Sequence, residues 1–158
     1  MSSLAAIRPD EWNLPLFIHV LGALATIGTL ALAATLLFAA LREGTTARLS
    51  LALRAITLGV IPSWIVLRFS AEWIADKEGY SDLSSPPSWI DVGYIAGDAG
   101  LLLIIISSLL GYFSLRRARA AEGEGGRPSG MVRGAALLLS LLLLVNLVAL
   151  WAMTTKPA

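Results

Sequence analysis

Four apolar runs govern what this chain can become. They cover about residues 14–41, 49–74, 89–115 and 132–153, and each reaches the ~20 residues needed to cross the hydrocarbon core of a bilayer. Inside lipid no water satisfies backbone N–H and C=O groups, so a spanning segment must be a helix or belong to a closed barrel. The runs are rich in Leu, Ala and Ile and lack the alternation of barrel strands, which predicts four transmembrane helices. Of the 158 residues, 56% are hydrophobic and 15% charged; a soluble domain has about 45–50% and about 25%. The connection at residues 43–46 is short, and short links make consecutive helices antiparallel neighbours. The expected fold is therefore all-α and membrane-embedded: a single domain forming an antiparallel up-down four-helix bundle.

The polar stretches agree with this division. Asn13 and Pro15 suit a first helical turn. Pro86 and Pro87 stop any earlier helix, and the Ser88, Trp89, Ile90, Asp91 sequence has the pattern of a capping box. Residues 121–130 read as a flexible polar linker. The first run is too long for the apolar core of a signal peptide, and Asp10 and Glu11 precede it where basic residues would be expected. No lipidation motif is visible, and no stretch outside the bundle is long enough for a second domain.

Basic residues predict the orientation. Arg42, Arg48 and Arg54 flank the first loop, and Arg116, Arg117, Arg119, Arg127 and Arg133 flank the third. The opposite side has only Arg8, Lys77 and Lys156, alongside Asp10, Glu11, Asp76, Glu78, Asp82 and Asp91. The positive-inside rule places both arginine-rich loops in the cytoplasm and both termini outside. Trp12, Trp73, Trp89 and Trp151 all fall at the outer helix ends, as in an interfacial aromatic belt. The Arg116, Arg117, Arg119 cluster either sets topology alone or also attracts anionic lipid, at ~1 kcal/mol per charge.

Ionisable residues within a span are costly and usually face protein. His19, Arg68, Asp98 and Asn146 lie seven, five, nine and five residues from the nearest belt tryptophan, one on each span. At ~1.5 Å per residue they share a layer roughly 7–14 Å below the belt. Glu72 sits one turn above Arg68, and Tyr94 one turn above Asp98. Arg68 and Glu72, at i,i+4, share a helix face that Trp64 and Ile61 continue inward. That pair is either the fixed cation of an anion or quinone-headgroup site or an arginine snorkelling beside its carboxylate. Asp98, among Gly93, Gly97 and Gly100, is expected to face protein and to take His19 or Arg68 as partner, either binding a proton or ligand or bonding two helices together. Asn146 is expected to bond a neighbouring helix. Pro62 should kink the second span and free a carbonyl near residue 58.

His19 is the one histidine, so a bis-His haem within the chain is excluded. It reads as a hydrogen-bonded interfacial histidine, a proton relay, or a haem b ligand paired with Met153, the last requiring the first and fourth helices to be adjacent. Met1, Met131 and Met153 do not cluster as a copper site would need. The absence of cysteine excludes disulfides, Cys-ligated zinc, iron–sulfur clusters and thiol catalysis. A net charge of +1 leaves no nucleic-acid footprint. The His19–Gly22 hairpin position can be laid over Tyr94–Gly97, which also brings Arg42 onto Arg117, the pattern of a weak internal repeat.

The segment Phe17, Ile18, His19, Val20, Leu21, Gly22, Ala23 resembles the histidine-bearing first span of copper-resistance-protein-D-like membrane families. Trp64 to Arg68, Ala71 to Ile74, Gly97 to Gly100 and the ending Trp151 to Pro157 look like four-span bacterial membrane proteins of actinobacterial type. These resemblances imply a bacterial plasma membrane and a multi-pass fold but bring no activity. Three functions stay open: a non-enzymatic binding protein or accessory subunit, alone, as a homo-oligomer or in a larger membrane complex; a haem- or quinone-binding redox protein; and a proton-coupled transporter working as an oligomer. No spacing typical of a hydrolytic site is present.

Overall fold

A computed structural model describes residues 13–80, 87–121 and 130–155, with the side chains of Asn13 and Trp89 excepted. Asp10, Glu11, Trp12, Asp82, Pro86, Lys156 and most of the 121–130 linker lie outside the described residues. The described chain is helical: α1 (Asn13–Glu43), α2 (Thr46–Ala55), a π-helical segment (Ile56–Val60), α3 (Ile61–Lys77), α4 (Ser88–Ala120) and α5 (Gly130–Thr155). The α2, π and α3 segments run on as one rod, giving four helices long and apolar enough to cross a membrane. No strand occurs among the described residues.

Each helix outruns its apolar run. The 31 residues of α1 at ~1.5 Å each exceed the ~30 Å hydrocarbon core. Backbone hydrogen bonding continues past the point where hydropathy falls, because charged side chains at a helix end leave the backbone ladder intact. Between α1 and α2, Gly44 takes a left-handed φ of 67°, a conformation glycine adopts without steric penalty, and its N–H bonds Ala40 O at 2.9 Å. Arg48 Nε meets Glu43 Oε2 at 3.1 Å across the same corner.

The expected capping box does not form. Pro87 is the N-cap of α4, one residue earlier than anticipated, and no side chain caps the helix. The Ile90 N–H instead bonds Pro87 O at 2.9 Å. Proline at this position has a fixed φ suited to starting the turn, and its missing donor costs nothing there.

Pro62 acts differently from a simple kink. Ahead of it the chain widens into the π segment, with the Ile61 N–H reaching back to Ile56 O. The hydrogen-bond ladder thus shifts by one residue just before the position that cannot donate.

The core sits towards the arginine-rich end. Leu30, Leu37, Leu49, Ile56, Ile104, Leu139 and Leu142 are fully or almost fully buried, with Ala33, Ala52 and Ala136 between them. Small residues let the helices approach where hydrophobic burial does not drive their association. α1 packs on both the second rod and α5, and α5 packs along α4. α4 meets the second rod mainly at α2, where Leu53 lies over Gly111. It touches α3 only sparingly. Towards the acidic end, then, the helices surround a space.

Candidate functional site

That space is a cavity of about 350 Å³ lined by all four rods. Its walls are mostly aliphatic. His19 on α1, Trp64 and Arg68 on α3, Tyr94 on α4, and Asn146 and Met153 on α5 supply polar or polarisable groups. The volume lies within the ~300–1,000 Å³ range of small-molecule sites, as does a lining of apolar side chains with a few polar ones.

Helical spacing puts these groups there. Trp64, Arg68 and Glu72 follow one another at i,i+4 along α3. The Trp64 indole N–H donates to Gly97 O at 3.1 Å, and a Cβ on Gly97 would stand 3.4 Å from Arg68 Cδ. The glycine therefore makes room for the arginine to cross from α3 to α4. Arg68 pairs with Glu72 on its own helix, and its Nε lies 3.4 Å from Asp98 Oδ1 on α4. Its guanidinium carbon sits 4.9 Å from the centre of the Tyr94 ring, within cation–π range. The Tyr94 hydroxyl donates to Glu72 Oε2 at 3.1 Å. Arg68, Glu72, Tyr94 and Asp98 form one connected cluster across the α3/α4 seam.

Asp98 departs from expectation in direction. Its side chain is 70% exposed, on the outer side of the seam and not among the cavity-lining residues. Gly93, Gly97 and Gly100 face inward instead, against Met153, Arg68 and Leu142 respectively; a residue next to Gly97 on a helix is turned by ~100°. Depth alone placed Asp98 in the layer, while rotation carried it outwards.

His19 and Asp98 are not partners. The His19 Nδ1 lies 3.3 Å from Ser70 Oγ, and Ser70 also donates to Val66 O at 2.7 Å. Gly22, one turn on, brings α1 against the Leu67 backbone, where a Cβ would stand 3.0 Å from its nitrogen. The histidine joins α1 to α3. Asn146 does not bond a neighbouring helix either. Its Nδ2 donates to Leu142 O of its own helix at 2.9 Å, the local bond that a short amide side chain makes when the facing wall is a cavity. Ser70 was missed in the sequence because serine carries no signal against an apolar background.

The geometry bears on the anion and cofactor readings. Arg68 already faces two carboxylates, so it is not an open cation awaiting an anion. α1 and α5 are packed together, and His19 and Met153 line the same cavity, which satisfies the adjacency that haem ligation requires. The two carboxylate groups of a haem would, however, add to an end of the bundle where Glu78 lines the cavity and the described carboxylates already outnumber the cations, so the donor set does not fit that group. A quinone head needs hydrogen-bond donors: the Trp64 indole and the Tyr94 hydroxyl are engaged within the chain, while the Arg68 guanidinium, with five N–H groups, retains donors beyond those it gives Glu72 and Asp98.

No family model, curated protein or solved structure matches the chain.

Proposed function

We propose that this is a small multi-pass membrane protein that works by binding: it holds a lipophilic molecule in the cavity among its four helices, alone or as an accessory subunit of a larger membrane complex. One observation carries the proposal. A mostly aliphatic space of about 350 Å³ with a few convergent polar groups suits a molecule with an apolar body and a small polar head. Arg68 and Tyr94, with His19 and Asn146 on the other walls, are its polar layer, and Glu72 and Asp98 hold Arg68 from outside the lining.

Contacts between rods run in opposing order. His19 meets Ser70 and Thr29 meets Ser63; Arg117 meets Met131 and Gly93 meets Met153. This supports an up-down bundle. The arginine distribution supports cytoplasmic first and third loops with both termini outside, in a bacterial plasma membrane as the resemblances imply. Exposed Trp73 and Trp151 at helix ends suit the outer interface.

The test is native mass spectrometry of protein released from nanodiscs, wild type beside Ala71→Phe, which places a ring in the cavity. The expected result is a co-released lipophile bound one per chain and lost from the variant. Identical spectra for the two proteins would refute a cavity-bound molecule. The same spectra report copy number and any companion subunit. Cysteine introduced singly at loop positions of this naturally cysteine-free chain, and probed with an impermeant maleimide, tests the orientation.

A further inference from the structure

The seam between α3 and α4 is where the ring of helices is least closed. Near the arginine-rich end it is sealed by Leu53 against Gly111. Towards the acidic end the described bridges are Trp64 to Gly97, Arg68 to Asp98 and Tyr94 to Glu72. These are long side chains spanning a gap, and they can change rotamer without moving a helix. Phe69 and Ile95 beside them are 72% and 67% exposed, so the seam faces the surroundings of the bundle, which in a membrane are lipid tails.

The charge at this seam has a definite sign. Arg68 is shared by Glu72 and Asp98, leaving one carboxylate in excess when all three are ionised. Asp98 holds its share through a single 3.4 Å contact and is 70% exposed. Among the described residues of this end, the carboxylates of Glu72, Asp76, Glu78, Asp91 and Asp98 stand against the cations of Arg68 and Lys77. The Tyr94 ring already carries a cation on its face, and Trp64 and Tyr80 add aromatic surface to the cavity wall. At low dielectric such an excess repels anions and favours a positive head that aromatic faces can solvate.

Resting on the cavity as a lipophile site, we propose that its ligand is a lipophilic organic cation, admitted from the bilayer through the α3/α4 seam with Glu72 and Asp98 as counter-charges. The cation shares with Arg68 the carboxylates and the Tyr94 face, and its apolar body fills the aliphatic space between α1 and α5.

Tetraphenylphosphonium and tetraphenylborate, equal in shape and opposite in charge, test this in nanodiscs of zwitterionic lipid. The expected result is saturable phosphonium binding that Ala71→Phe abolishes. Glu72→Gln and Asp98→Asn should each weaken it several-fold, and together at least tenfold. Both carboxylate variants should act mainly on the association rate, since Glu72 and Asp98 lie outside the cavity lining. Borate should show no saturable component. Borate binding that Ala71→Phe removes, with phosphonium no tighter, would overturn the charge assignment while leaving the cavity a lipophile site. Unchanged phosphonium affinity in both carboxylate variants would do the same. Binding of both ions indifferent to Ala71→Phe would overturn the cavity reading itself.

Discussion

Replacing Arg68 by Gln should destabilise the protein, and removing Asp98 as well should restore part of the loss. The arginine sits five residues before Trp73, roughly 7 Å along the helix at ~1.5 Å per residue, which in the proposed orientation is its depth below the outer interface. It balances one of the two carboxylates it touches, so Arg68→Gln takes the cluster from one uncompensated charge to two. A charge at the bilayer centre costs ~2.5–3.5 kcal/mol on insertion scales and less near the surface. With the lost hydrogen bonds, the expected destabilisation is about 2–3 kcal/mol. Asp98→Asn alone removes a long, exposed contact and the excess charge together, so its cost is expected within about 1 kcal/mol of zero. In Arg68→Gln/Asp98→Asn a single carboxylate remains, and about 1 kcal/mol should return. Equilibrium unfolding by SDS in mixed micelles, followed by tryptophan fluorescence, measures all four proteins. A double variant no more stable than Arg68→Gln would refute the shared-counterion account, because independent contributions would only add.

Other substitutions separate rigid from yielding contacts. Gly22→Ala puts a methyl 3.0 Å from the Leu67 backbone nitrogen and should cost about 1–3 kcal/mol in the same assay. Gly93→Ala meets the mobile end of the Met153 side chain and should cost under about 1 kcal/mol. Ser107 is fully buried, and its hydroxyl has no hydrogen-bond partner among the described residues; Ser107→Ala should be neutral or stabilising by up to about 1 kcal/mol. Mildly solubilised protein, with and without dithionite, should show no Soret band, and His19→Ala should have the same spectrum. A band lost in His19→Ala would reinstate haem.

The four helices were legible because lipid imposes length and composition together, and both are written in runs such as the one from Val132 to Met153. Relative height was legible too: Arg68 meets Asp98, and Glu72 one turn above meets Tyr94, because each pair stands level on facing helices. Rotation was not. A leucine-rich helix destined for lipid is apolar on every side, so nothing in its pattern says which flank meets protein. For that reason Asp98 was expected inward and is exposed, and Asn146 was expected to cross to a neighbour and bonds its own helix. The His19–Ser70 contact fell below notice for the same reason. The glycines held the missing information: Gly97 marks where Arg68 crosses, and once it faces inward Asp98 must turn away.

The π-helical segment gives the second rod a tolerance that the others lack. It contains, in effect, one residue more than an α-helix needs between Ala55 and Ile61, so the packed face of α2 and the polar face of α3 are set independently. Removing a residue from within it, such as Leu58, which is 77% exposed, would return the turn to α geometry with Leu53 and Arg68 still pointing where they do. The same deletion in the middle of α4 or α5 would swing every following side chain by ~100° and scramble one wall of the cavity. Loss of one residue is therefore expected to be tolerated at residues 56–60 and not elsewhere in the spans.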